Sequence, residues 1–331
     1  MKKGITRFVF YINQLKVLLS RAAKQKNPAL WLYNHNARAP IFMLEGLSKL
    51  YAGLHNKKKF EKLEEQFKLL EDILGAIDYY DVFAKELAHR KKIPATITTY
   101  LAAQSREKIQ WLNEILKENH WLDDRHPCIN KIKKKLGDAH WMVEKQEIQA
   151  IDVFYTSAIT EINNFFKSTG HHFENVELEV HKLRRKLRWL SIYPQALRGC
   201  IQLSKSKHTS KFMTKYLTKE IMGSSFNKMP GAGDNKHFLL LEQNSYYALS
   251  WMISELAILK DEGLRVIAVK EAFQQTTNIS DKEALQKTYH VLGKKQLTIK
   301  QILNKADIIC KTYFNEGSLD KLIIGTSKVI K

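Results

Sequence analysis

Between Phe60 and Leu87, apolar residues fall at Phe60, Leu63, Phe67, Leu70, Ile73, Leu74 and Ile77. That spacing approximates the i, i+3, i+4, i+7 repeat that gives a helix one apolar face. Similar spacing recurs over 98–117, 141–166, 238–259, 282–292 and 299–314. The pattern breaks at Asn27-Pro28, Lys92-Ile93-Pro94, His126-Pro127, Ser168-Thr169-Gly170 and Tyr193-Pro194. The longest break, GSSFNKMPGAGDN over 223–235, has the glycine, proline and asparagine content of a mobile loop. Sustained two-residue alternation bounded by turn signals is missing, so the predicted class is all-α.

A duplication is visible at low resolution. In each half a helix-length segment, about 5–22 and then 147–166, leads through a polar connection to a His-containing segment. These are HNARAPIFMLEGLSKL from His35 and HKLRRKLRWLSIYPQAL from His181. The expectation is one domain built from two helical bundle halves, 1–146 and 147–331, as a tandem four-helix-type repeat.

Composition alone says only that 331 residues, 44% hydrophobic and 27% charged, suit a globular protein. Charge says more. The chain has 54 Lys+Arg against 34 Asp+Glu, a net charge of +20. Residues 1–60 hold twelve basic residues and one acid, Glu45, and residues 181–219 hold eleven and no acid. The remainder is close to neutral. Like charges packed into two segments repel one another, and an anionic partner removes that cost. The candidates are a polyphosphate, a nucleic acid or an acidic membrane surface.

The N-terminal MKKGITRFVFYINQLKVLLSRAAK resembles a signal peptide only briefly, because Asn13, Gln14 and Lys16 interrupt its apolar run. No stretch reaches the ~18 apolar residues of a membrane span. The expected location is cytoplasmic. Cys128, Cys200 and Cys310 form no CxxC pair and fit small core residues in a reducing compartment.

On a helix, His181, Arg184, Arg185 and Arg188 share one stripe, while Val180, Leu183, Leu187 and Leu190 form the opposite, buried one. Lys182, Lys186 and Trp189 lie on the flank. Guanidinium forks donate paired hydrogen bonds to phosphate oxygens, which makes this stripe a candidate anion site. Glu177, four residues before His181, is placed to pair with it. Lys211, Lys215 and Lys219 repeat at i, i+4 and i+8, a second basic stripe on the next predicted helix.

VHKLRRKLRWL (180–190) resembles the signature of the CHAD domain, the conserved histidine α-helical domain: a His, an Arg three later, and further basic residues one and two turns on. His181, Arg184 and Arg188 match those positions. FKLLEDILGAIDYYDVFAKEL (67–87) resembles the segment that follows the first signature, with Leu74-Gly75, Asp78 and Asp81-Val82 in place, and SELAILKDEGL (254–264) is a weaker echo. The resemblance implies two pseudo-symmetric antiparallel helical bundles around a basic central groove or pore. It also implies binding of inorganic polyphosphate without catalysis, and polyphosphate granules as a place of work. The residues it implies are His35, Arg38, His181, Arg184, Arg185 and Arg188 on the inside, with Lys49, Lys182, Lys186, Lys211 and Lys215 adding field. The first half departs from the pattern. Only His35 and Arg38 fit, Phe42 and Met43 stand where later basic residues are expected, and Pro40 sets the helix start near Asn36 or Ala37. His35 then lies at a helix N-terminus, itself a favourable place for an anion. Lys49 returns to the His35/Arg38 side, a face shared with Glu45.

Other chemistry finds weaker footing. His120, Asp123, Asp124, Arg125, His126 and Cys128 cluster in sequence but match no metal-ligand spacing. Asp78 and Asp81 suit a metal-dependent phosphohydrolase, yet in a helix they more often pair with a neighbouring helix. GxSxG, P-loop and GxGxxG motifs are missing. A helical RNA- or DNA-binding protein is the alternative that the same charge supports; Trp189, Tyr193 and Tyr216 are the nearby aromatics for base stacking.

Overall fold

Helices form almost everywhere the apolar spacing predicts them. In the computed structural model, which describes residues 2–206 and 209–328, the chain is predominantly helical. Lys207, in the second basic run, lies outside the described residues. The first half comprises α1 (Lys3–Ala22), α2 (Pro28–Asn34), α3 (Arg38–Leu54), α4 (Lys57–Ala88), α5 (Ala95–Glu118) and α6 (Pro127–Gly137). The second comprises α7 (Glu144–Ser168), α8 (Lys182–Ala196), α9 (Lys219–Gly223), α10 (Gln243–Thr276), α11 (Asp281–Leu292) and α12 (Ile299–Asn315).

Local chemistry sets several of these starts. Asn27 accepts the Leu30 N–H while Pro28 opens α2. Ser280 and Thr298 form capping boxes with Glu283 and Gln301 at the starts of α11 and α12. Ala37 precedes α3 directly, one or two residues from the start that Pro40 implies.

Three expectations need correction. The first is a small sheet of β1 (Ile201–Ser204), β2 (His237–Glu242) and β3 (Ile323–Lys328). β2 is central, parallel to β1 and antiparallel to β3. Its strands evade period-two reading because β1 has four residues and β2 carries the run Phe238-Leu239-Leu240-Leu241, which merges into the apolar pattern of α10. The second concerns Pro194, which does not break α8. A proline has no N–H for the carbonyl four residues back, and the Tyr155 hydroxyl on α7 donates to that Leu190 carbonyl at 3.0 Å instead. The third is that Lys211, Lys215 and Lys219 share no helix. Lys211–Tyr216 is a 3₁₀ segment, and Thr218 caps a separate α9 that starts at Lys219.

One hydrophobic core runs from Phe8 to Leu322 across both halves. A smaller one joins the C-terminal part of α4 to α5, α10 and α11 through Phe83, Leu87, Leu101, Val269, Phe273 and Ala284. Inside the main core, Arg7 donates to Glu147 and to the Tyr51 hydroxyl, each at 2.7 Å, and Tyr51 donates to Glu147 at 2.7 Å. Arg7 and Glu147 are 4% and 1% exposed. This triad ties α1, α3 and α7 together, so Arg7, part of the first basic run, neutralises a carboxylate of the chain itself. The 223–235 segment is held to the body by Gln195, which donates to the Phe226 and Lys228 carbonyls at 3.2 and 2.9 Å.

Candidate anion-binding cleft

With Leu183, Leu187 and Leu190 buried, the opposite face of α8 is left to a cleft it shares with α3, α4 and α10. The cleft has a volume of about 900 Å³. His181 reaches the same cleft from a short π-helical turn, Val176–His181, that leads into α8. Asn175 caps this turn by accepting the Glu177 and Leu178 N–H groups, each at 2.9 Å. His181 Nδ1 lies 2.7 Å from Glu177 Oε1, the pairing expected from their spacing. That hydrogen bond holds the Glu177 carboxyl below its ordinary range, against the opposing effect of burial.

Arg38 enters the cleft from the first turn of α3. Its guanidinium meets Glu71 on α4 at 2.8 Å and Asp78 at 3.5 Å. Gly75 makes room for it, since a Cβ there would stand 2.8 Å from Arg38 Nη2. Asp78 and Asp81 also face α2, where the Tyr33 hydroxyl donates to Asp81 at 2.8 Å. They therefore pair with a neighbouring helix.

The lining is mixed in sign. Glu71, Asp72, Asp78, Glu86, Glu177 and Asp261 share it with the cations. Pairing then separates the cations into two sets. Arg38 is tied to Glu71, His181 to Glu177, Lys260 to Asp261, and Arg265 to Glu86 and Glu262. For Arg184, Arg185 and Arg188, no carboxylate among the described residues is within ion-pair distance. The Arg184 Nε is buried without a hydrogen-bond partner. Burial, then the charges of Arg184 and Arg38, brings Arg188 down to about 10. Burial likewise lowers Arg184, with Arg38 adding to it and Asp261 opposing.

Phe42, which stands where a further basic residue is expected, supports this set. Its ring lies 4.5 Å from the Arg188 guanidinium carbon and stacks on Trp189 with centroids 4.6 Å apart. An aromatic face attracts a guanidinium without neutralising it. Glu45, on the same helix, is 2% exposed, with Oε2 buried and unpartnered. Burial first, and then Glu71, pushes its carboxyl up to about 7.

The remaining sequence candidates lie elsewhere. His35 caps the end of α2, exposed, with its ring stacked 3.8 Å from Trp31. It does not open α3 and is not part of the cleft wall. Lys49 is exposed, over the Trp189 ring at 5.6 Å. Lys182 and Lys186 face the Phe165 ring on α7 at 5.3 and 5.7 Å, and Lys186 also pairs with Glu161. Lys211 is exposed at the start of its 3₁₀ segment, and Lys215 pairs with Glu316. The cleft thus brings together Arg38, His181, Arg184, Arg185 and Arg188. It adds Phe42, Lys260 and Arg265, which sequence reasoning did not select as ligands. Lys260 lies in the SELAILKDEGL echo; Arg265, one residue beyond it, carried no signal.

His120 meets Asp123 at 2.8 Å and His126 meets Ser20 at 2.9 Å. Among the described residues no group of three or more His, Cys, Asp or Glu side chains is arranged to hold a metal ion. None of the described helices is long and apolar enough to cross a membrane. Compared with protein-family models, with curated proteins and with solved structures, the chain matches none of them.

Proposed function

We propose that the protein binds inorganic polyphosphate, without chemical turnover, along the cleft face of α8. The observation that carries this reading is the trio Arg184, Arg185 and Arg188: three guanidiniums on one face, Arg184 and Arg188 partly desolvated and Arg185 exposed, with no carboxylate among the described residues within ion-pair distance. Burying a charge unpaired is costly, and a bound anion repays it with charge-assisted hydrogen bonds. A polyphosphate carries charge at every phosphorus with no sugar between, which suits cations only one helical turn apart.

The order of elements supports the CHAD-like repeat. In order along the chain, α1, α3, α4, α5 and α6 are set against α7, α8, α10, α11 and α12, with α2 and α9 left over. The segment after each motif is a long helix, 32 residues in α4 and 34 in α10. Arg38 on one side and the α8 arginines on the other then make a groove fed by both halves.

A competition titration at near-physiological salt tests the reading. Labelled long-chain polyphosphate is displaced by unlabelled polyphosphate, RNA, duplex DNA or orthophosphate, matched per phosphate. Polyphosphate should compete best, with an affinity that falls as salt rises through counterion release. RNA or DNA competing as well or better would put nucleic acid in its place.

A further inference from the structure

The cleft is longer than its basic part and changes character along α4. Between Glu71 and Asp78 its α4 side carries the carboxylates Glu71, Asp72 and Asp78 around Gly75 and Ala76, opposing the guanidiniums of α8 in sign; beyond them Tyr79, Val82 and Phe83 line it together with Leu264 and Ile267 of α10. Tyr79 and Phe83 pack edge to face with ring centroids 5.2 Å apart, and Val82 is 47% exposed. A bare phosphate chain has no use for such a wall. The wall ends in polar groups: Arg265 donates to Glu86 at 2.8 Å from the opposite helix, and Lys108 also lines the cleft. An acyl tail would meet charge at its methyl end, whereas a nucleobase has apolar faces and a polar edge. The cleft volume of about 900 Å³ also falls within the range of small-molecule sites. Gly75 and Glu86 are separated by about 16 Å of helix rise, a span that an extended nucleoside triphosphate can cover.

We propose that this cleft binds nucleoside polyphosphates in preference to an inorganic chain of equal charge, with the phosphates on Arg184, Arg185 and Arg188 and the base along Tyr79, Val82 and Leu264. The proposal rests on the anion-binding reading above and adds a recognition element to it. Stacking and apolar contact supply the preference, and the guanidiniums supply the bulk of the affinity.

Calorimetric titration of the full chain with adenosine triphosphate and with inorganic tripolyphosphate tests it. Adenosine triphosphate should bind about tenfold more tightly. Val82→Trp, at a half-exposed position that tolerates a larger side chain, should fill the apolar end and abolish that advantage while leaving tripolyphosphate affinity unchanged. Leu264→Ser should do the same by removing the wall. Equal affinities in the unmodified protein, or an advantage that survives both variants, would overturn the proposal and leave the anion site standing. Farnesyl diphosphate binding more tightly than adenosine diphosphate would replace the nucleoside by a lipid phosphate. If neither triphosphate binds, the proposal is overturned, and the long-chain polyphosphate titration decides the anion reading separately.

Discussion

Arg188 is where stability and the proposed anion binding oppose each other most plainly. It is desolvated, faces Arg184 and Arg38, and has Phe42 as its support in place of a carboxylate. Arg188→Met keeps the length and the contact with Phe42 while removing the charge. The ligand-free variant should melt roughly 1–2 °C higher, as expected for about 1 kcal/mol in a chain of this size. It should bind polyphosphate at least about tenfold more weakly, since a charge-assisted hydrogen bond contributes ~1.5–3 kcal/mol. Differential scanning calorimetry and titration on one preparation read both. Glu45 makes a second residue-scale case. Its carboxyl is raised from an ordinary 4.5 to about 7 in the folded protein, so the native state binds this proton more tightly than the unfolded chain. The sign follows from linkage: this contribution to stability is complete below pH 4.5, declines as pH rises to about 7, and stays lost above it. Glu45→Gln should therefore raise the melting temperature at pH 8 and change it little at pH 4.5.

At the scale of elements, α8 shows how tertiary contacts override a local breaker. Pro194 leaves the Leu190 carbonyl without its helical donor, and Tyr155 from α7 supplies one. Tyr155→Phe should leave that carbonyl unsatisfied and cost about 1–3 kcal/mol, read by urea denaturation. The proline was visible in the sequence; the hydroxyl of another helix that neutralises its effect was not. The same division runs through the rest. Helices α4, α5, α11 and α12 were legible because each buries one stripe and exposes the other. Two of the strands were not, β1 being short and β2 apolar on both faces. Within the site, the stripe Arg184, Arg185, Arg188 was legible because its spacing matches a helical face and its neighbours Leu183 and Leu187 mark the buried side. Arg265 and Phe42 were not, because their roles arise only where α3, α4, α8 and α10 meet. His35 misled for a related reason: the start that Pro40 implies puts it at the N-terminus of the Arg38 helix, whereas it caps the end of α2 and α3 begins at Arg38.

For the whole molecule, net charge overstated what is available to a ligand. Arg7, Lys186 and Lys215 belong to the two basic runs, yet each pairs with a carboxylate, Glu147, Glu161 or Glu316. Long-range attraction survives such pairing, but the proposed site reduces to the few cations left without ion-pair partners among the described residues. The buried Arg7–Glu147 pair has a separate role in joining the halves. Glu147→Ala would strand the Arg7 guanidinium in the core and should cost about 3–5 kcal/mol of stability by chemical denaturation. Because the core is continuous across residues 146 and 147, both halves should unfold in one transition.

The most direct test of the α8 guanidiniums as the anion site is to titrate long-chain polyphosphate into three proteins: the unmodified chain, Arg184→Ala with Arg188→Ala, and Lys91→Ala with Lys92→Ala. The last pair removes the same charge from an exposed turn outside the cleft. Loss of two charge-assisted contacts should weaken binding by roughly 100-fold or more in the arginine variant, with helix content preserved by circular dichroism. The lysine variant should stay within about threefold of the unmodified protein, as distant surface charges do. Equal losses in the two variants would mean that diffuse charge attracts the polymer and that the cleft is not its site.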